Sequence, residues 1–125
     1  MNYAVKSTIS TSDERHKVIF DNLDTTDCYD MIRNIPLYNY YMLGENKEHL
    51  TDDEIKSKMI DENKQLGLMA QDLLEYECGE YIVDYEDDVY GINDNQLIQA
   101  TIGALQEEIK LRDKQIDQLT NDLEE

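Results

Sequence analysis

The side chains of this sequence that could do chemistry are mostly carboxylates and phenols. Between Asp72 and Asp94 stand nine carboxylates, Asp72, Glu75, Glu77, Glu80, Asp84, Glu86, Asp87, Asp88 and Asp94, with no Lys or Arg among them. Tyr76, Tyr81, Tyr85 and Tyr90 are interleaved with them, and the run carries half of a formal net charge of −18. A field of that kind repels nucleic acid and acidic molecules and attracts basic protein surfaces. The other reactive groups are few. His16 and His49 lie in separate polar contexts, and Cys28 and Cys78 are far apart with no CxxC spacing, so they read as reduced, semi-buried thiols rather than a disulfide.

This inventory argues against catalysis. No GxSxG, Walker loop or dinucleotide fingerprint is present, and the Cys and His clusters that zinc requires are missing. We therefore expect no enzyme, no catalytic residue, no metal and no cofactor. The stretch DYEDDVYGIND imitates a calcium loop in composition only. With Gly91 at the loop's sixth position, Glu86, Asp88 and Tyr90 fall at the first, third and fifth, and Leu97 stands where a bidentate Glu is required. A glycosidase pair of carboxylates would need an aromatic-lined sugar cleft on a larger scaffold. Direct nucleic-acid binding is disfavoured because 11 basic residues face 29 acidic ones, with only Arg15, His16 and Lys17 clustered.

These side chains must be positioned by a small scaffold. At 125 residues, with no Trp and one Phe, the core has to be built from Ile, Leu, Val, Met and Tyr. Residues 2–10 alternate Tyr3, Val5, Ser7 and Ile9 and predict a short strand. Ser10, Thr11 and Ser12 are candidate N-caps for a helix running to about Leu23, with Val18, Ile19 and Leu23 buried. Asp24, Thr25 and Thr26 precede a second helix holding Cys28, Met31, Ile32 and Ile35, which Pro36 stops. The tyrosines of LYNYYMLG, Tyr38, Tyr40 and Tyr41, suit a core edge or interface. Thr51 and Glu54 form a capping box. The helix that follows is predicted to reach about Glu77, with Ile55, Met59, Leu66, Met69, Leu73 and Tyr76 on its apolar face and Gly79 as its stop. From Tyr81 to Glu86 the period becomes two, which suggests a strand or extended acidic edge ending near Gly91. Extended, it would project Asp84, Glu86 and Asp88 from one side about 6.6 Å apart, twice the strand rise.

The last segment is the most regular. Ile102, Ile109, Ile116 and Leu123 fall at heptad position a, and Ile98, Leu105, Arg112 and Leu119 at d. Ile at a with Leu at d favours two parallel strands, so Ile98, Ile102, Leu105, Ile109, Ile116, Leu119 and Leu123 are the candidate dimerisation residues. Arg112 breaks the seam, and Leu97, Ala104 and Leu111 add a second stripe. Two arrangements fit these features: the helix packs on its own domain at its N-terminal end and dimerises further on, or it forms an antiparallel pair in which Arg112 meets a carboxylate. A homodimer is preferred to a monomer with this helix docked on its own domain. The fold class is mainly α with a minor β element: a small acidic helical domain over residues 1–93, then an amphipathic or coiled-coil helix over 94–125.

In size, acidity, the carboxylate density of DLLEYECGEYIVDYEDDVY and the lack of catalytic residues, the chain resembles the small DNA-mimic inhibitors of phages and mobile elements, of anti-CRISPR or antirestriction type. That resemblance implies a non-enzymatic inhibitor seated in the basic groove of a nucleic-acid-binding protein. It makes Glu75, Glu80, Asp84, Glu86, Asp87 and Asp88 phosphate surrogates and Tyr81, Tyr85 and Tyr90 anchors, with Glu77 on the same surface. The alternative is a coiled-coil adaptor or structural interaction protein whose acidity serves only solubility. No window holds the roughly 20 apolar residues that cross a bilayer, and MNYAVKSTIS lacks a basic stretch followed by an apolar one, so a cytoplasmic location is expected.

Overall fold

A computed structural model describes residues 12–124. The fold is mainly helical with two small antiparallel sheets. Helix α1 (Thr25–Asn34) starts where the Asp24 carboxylate accepts from the amides of Thr26 and Asp27 at 3.0 and 3.1 Å, which satisfies two of the helix's free N–H groups. It ends at Ile35 because Pro36 disfavours helical backbone before it and donates no N–H. Strand β1 (Tyr38–Tyr41) pairs with β2 (Lys64–Gly67), Tyr38 opposite Gly67 and Tyr41 opposite Lys64. Between them residues 42–63 form an excursion that carries the short helix α2 (Asp52–Ser57). Helices α3 (Ala70–Leu73) and α4 (Gly79–Ile82) are single turns. Strands β3 (Val83–Glu86) and β4 (Val89–Ile92) make a hairpin, and α5 (Asp94–Glu124) follows it.

One core joins these elements. Cys28, Met31, Leu73, Cys78, Ile82, Ala100 and Ala104 are buried together, with Ile32, Ile35, Leu68, Tyr76, Val83, Ile92 and Leu97 packed around them. The main contact is α1 lying along the first half of α5. It is close because α5 presents small residues there. A Cβ placed on Gly103 would stand 2.8 Å from Leu23 Cδ2 and 3.7 Å from Cys28 Sγ. Two polar ties fix the arrangement: Thr25 donates to Glu107 at 2.8 Å, and the Cys78 amide donates to the Asp27 carboxylate at 2.9 Å.

Three expectations are corrected, and the strand over residues 2–10 lies outside the described residues. The helix expected up to Leu23 is only a 3-10 turn over Glu14–His16, capped by Asp13 rather than by Ser12. Beyond it residues 17–24 form neither helix nor strand, and Val18, Ile19 and Leu23, expected to be buried, are exposed, as is Phe20. That run of β-branched and aromatic residues has modest helix propensity. The helix expected from Thr51 to Glu77 ends at Ser57. Its capping box is formed as expected, Thr51 N–H to Glu54 at 3.1 Å and Glu54 N–H to Thr51 at 3.2 Å. However, Asn63 Nδ2 donates to the Lys58 carbonyl at 2.7 Å, and the Met42 amide to the Asn63 carbonyl at 2.7 Å, turning the chain back into β2. Leu66 then lies opposite Asn39 in a sheet and is exposed. Tyr38, Tyr40 and Tyr41 belong to that sheet, with Tyr40 donating to Gln65 at 3.1 Å.

The cysteines are free and both fully in the core, where Cys78 Sγ approaches Met31 Sδ at 3.5 Å. Burial raises both thiol pKa values, and for Cys78 the neighbouring Asp27 carboxylate adds to the rise. Above about pH 8.5 the unfolded chain releases these protons while the folded chain keeps them, so folding is weakened as pH rises through the alkaline range. The urea midpoint is therefore expected to fall between pH 7 and 9.5, and Cys78→Ala to flatten that fall, with Cys28 accounting for what remains. An unchanged slope in the variant would remove Cys78 from the account.

Candidate functional site

The acidic run does not form one edge. Glu75 and Glu77 sit in the turn between α3 and α4, Glu80 and Tyr81 on α4, and Asp84, Tyr85 and Glu86 on β3. Asp87 and Asp88 form the two-residue hairpin turn, both with positive φ, 51° and 63°, and Tyr90 lies on β4. Asp88 thus leaves the strand line at the point where the row of Asp84, Glu86 and Asp88 was expected to continue. The Tyr85 hydroxyl donates to Asp88 at 2.7 Å, and the Tyr85 and Tyr90 rings face one another across the hairpin with centroids 4.7 Å apart. The Asp88 bond raises the Tyr85 pKa by holding the protonated phenol. These contacts are what a hairpin uses to hold its own turn. Among the described residues no group of three or more His, Cys, Asp or Glu could hold a metal ion.

Helix α5 is the second candidate. Its residues are about 100° apart, so the helix has two apolar sides. Ala100, Gly103 and Ala104 face α1 and are buried. On the opposite side Ile98, Ile102, Leu105, Ile109, Ile116, Leu119 and Leu123 form the expected heptad stripe, all between 47 and 87% exposed. Arg112 lies within this stripe and is held along its own helix, donating to Glu108 at 2.7 Å and to Gln115 at 3.2 Å. That bond, with a second from Tyr29, holds the Glu108 carboxyl below its usual range. Large aliphatic residues are thus left in water on a helix whose other side is already anchored, an arrangement that stands out on a folded surface.

The third feature is a strap, residues 17–24, which joins the 3-10 turn to the cap of α1 without helix or strand. Phe20 and Leu23 line an open cleft of about 530 Å³ together with Tyr81, Ile82 and Ala100, rimmed by Asp21, Asp24, Asp27, Glu77 and Glu80. At the start of the strap Lys17 Nζ donates to Ser12 Oγ at 3.0 Å, and both residues are exposed. A search for His-based nucleophile sites passes over this pair, because Ser12 also looks like a helix cap. The spacing S-D-E-R-H-K around a 3-10 turn is the signal that would have found it.

These observations define a class: a small, mainly helical domain with a folded core, a hairpin and a long helix whose outer side has no partner among the described residues. The family model Peptidase_S74, described as chaperone of endosialidase, matches residues 12–81, more than half of the chain, and the chain belongs to that family. The matched stretch contains Ser12, Lys17, α1, the β1–β2 sheet and α3, and stops before the β3–β4 hairpin and α5. No curated protein matches the chain. The family assignment overturns the resemblance to DNA-mimic inhibitors of anti-CRISPR or antirestriction type, and with it the nucleic-acid-binding protein as target. The geometry gives the physical reason, since the carboxylates are spread over a turn, a helix, one limb of the hairpin and the hairpin's tip rather than aligned as phosphates. Acidity and size were shared with that class, but neither is an arrangement.

Proposed function

We propose that this chain acts as a chaperone module for a partner protein, by binding and without chemistry in its main role. On this reading α5 associates with α5 of other copies through its Ile and Leu stripe. The assembled modules then bring the partner polypeptides they accompany into register. The observation that carries the reading is the two-sided helix: one side locks α5 to its own core, so the other is presented in a defined direction. The family's description, chaperone of endosialidase, supplies the kind of partner. Ile at a with Leu at d supports two strands, and sedimentation equilibrium counts the copies. The test is the refolding yield of a denatured endosialidase, read by its activity, in the presence of the intact chain and of a variant with Ile109→Asp and Ile116→Asp. The intact chain raises the yield and the seam variant does not. Equal yields with both would end this reading.

A second reading, peptide-bond cleavage, is supported by the Lys17–Ser12 hydrogen bond and by the peptidase in the family's name. A serine and lysine pair can act as nucleophile and base. The neutral amine takes the Oγ proton, Oγ adds to a peptide carbonyl, and the amine passes the proton to the leaving nitrogen. Water then hydrolyses the ester. If the reading holds, intact-mass measurement finds cleaved polypeptide in the assembled protein that is absent in Ser12→Ala and Lys17→Met. The same masses in all three proteins would exclude it.

A further inference from the structure

We infer that the strap residues Val18, Ile19 and Phe20 are a second contact between copies of this chain, continuous with the α5 seam and buried when the copies associate. The inference rests on the reading of α5 as a self-association seam. The three residues are consecutive, lie outside helix and strand, and are 91, 80 and 83% exposed. Among the described residues, the backbone of residues 18–21 takes part in no backbone hydrogen bond. An exposed apolar segment of that kind invites contact with another chain.

Three observations point to a second copy as what covers it. The strap lies on the flank of α5, where Phe20 and Leu23 share the cleft with Gln99, one helical turn from Ile102 of the seam. The seam alone is narrow: seven apolar residues interrupted by Arg112, against roughly 20–30 residues a side in a stable interface. The strap supplies the nearest additional apolar surface. Charge points the same way. In a chain of net charge −18, Lys17 brings a cation to the start of the strap, Arg15 being paired with Asp13 at 2.6 Å, and the cleft beside it is rimmed by five carboxylates. Two acidic copies therefore approach with least repulsion where this segment of one meets the acidic rim of the other.

The test uses the full chain with Val18→Ser, Ile19→Ser and Phe20→Ser together, beside the Ile109→Asp, Ile116→Asp seam variant. None of the strap side chains is in the core, so the fold is retained. Sedimentation equilibrium is expected to show self-association weakened at least about 30-fold in the strap variant. Hydrogen exchange of the wild type is expected to show the amides of residues 18–21 becoming protected as protein concentration rises. The strap contact is overturned if the serine variant associates like the wild type and these amides stay unprotected in the assembly, while the seam variant is monomeric; the seam reading then survives. If instead the seam variant still assembles and the strap variant does not, the seam reading fails and the strap contact stands. Protection that arises only on adding an endosialidase, with self-association unchanged, assigns the strap to the partner and overturns the inference. A wild-type chain that is monomeric at all concentrations overturns both.

Discussion

Replacing Gly79 by alanine is expected to remove most of the fold's stability. A Cβ at this position would overlap the backbone carbonyl of Leu73, with the Leu74 nitrogen 3.3 Å away, and backbone cannot rotate aside as a side chain can. Gly79 is buried at the start of α4, and its amide donates to the Tyr76 carbonyl at 3.0 Å. The preceding turn carries Cys78 into the core, where its amide meets Asp27. Moving the turn to admit a methyl group would therefore pull Cys78 off α1 and Ile82 off α5. We expect a loss of about 4 kcal/mol or more, in the exceptional range for a single substitution. Thermal melting should then fall by about 15 °C for a domain of this size. Gly91→Ala is the matched control, because nothing lies within 4 Å of its Cβ, and it should change stability by less than about 1 kcal/mol. Similar melting temperatures for the two variants would show that the turn at Gly79 can yield.

The contrast between these glycines marks what could be read from sequence and what could not. Gly79 suggests a helix stop by its type, yet it opens the single-turn helix α4, and the reason for a glycine there is a close approach to the Leu73 backbone that no periodicity reports. Elements set by neighbouring residues were legible. Asp24 caps α1 and Pro36 ends it, Thr51 and Glu54 form their box, and the heptads from Ile98 onward are one helix. Elements set by distant partners were not. Met59, Leu66 and Met69 fall at helical spacing, yet Leu66 pairs with Asn39 and the chain around Lys58 is turned back by Asn63. Val18 and Ile19 read as the buried side of a helix for the same reason: sequence identifies them as apolar, and it is silent on whether the fold buries them. The site divides likewise. The α5 stripe is legible as one apolar face of a single helix, whereas composition alone suggests a groove-binding role for the carboxylates and conceals that Asp87 and Asp88 are a turn. Ser12 and Lys17 were hidden by brevity, since two polar residues five apart carry no pattern until a 3-10 turn brings them together.

The second large effect is expected at the α5 seam. Ile109 and Ile116 stand two turns apart at position a, beyond the stretch of α5 whose other side is buried against α1, and each is more than half exposed. Aspartate at both should leave the isolated fold intact, because neither side chain enters the core. It would place two carboxylates from every copy at the centre of an apolar interface, in a chain that already repels itself. Self-association should weaken by at least about 1000-fold, since burying each unpaired charge costs several kcal/mol. Arg112 gives the opposite sign. Its guanidinium is satisfied within the helix by Glu108 and Gln115, so association has either to break those bonds or to bury them beside the seam. Arg112→Leu restores the d position and should tighten association by roughly tenfold or more, at the cost of releasing Glu108. Sedimentation equilibrium on the three proteins decides the matter. If the aspartates leave the association constant unchanged, or the leucine lowers it, the stripe faces something other than another copy of α5.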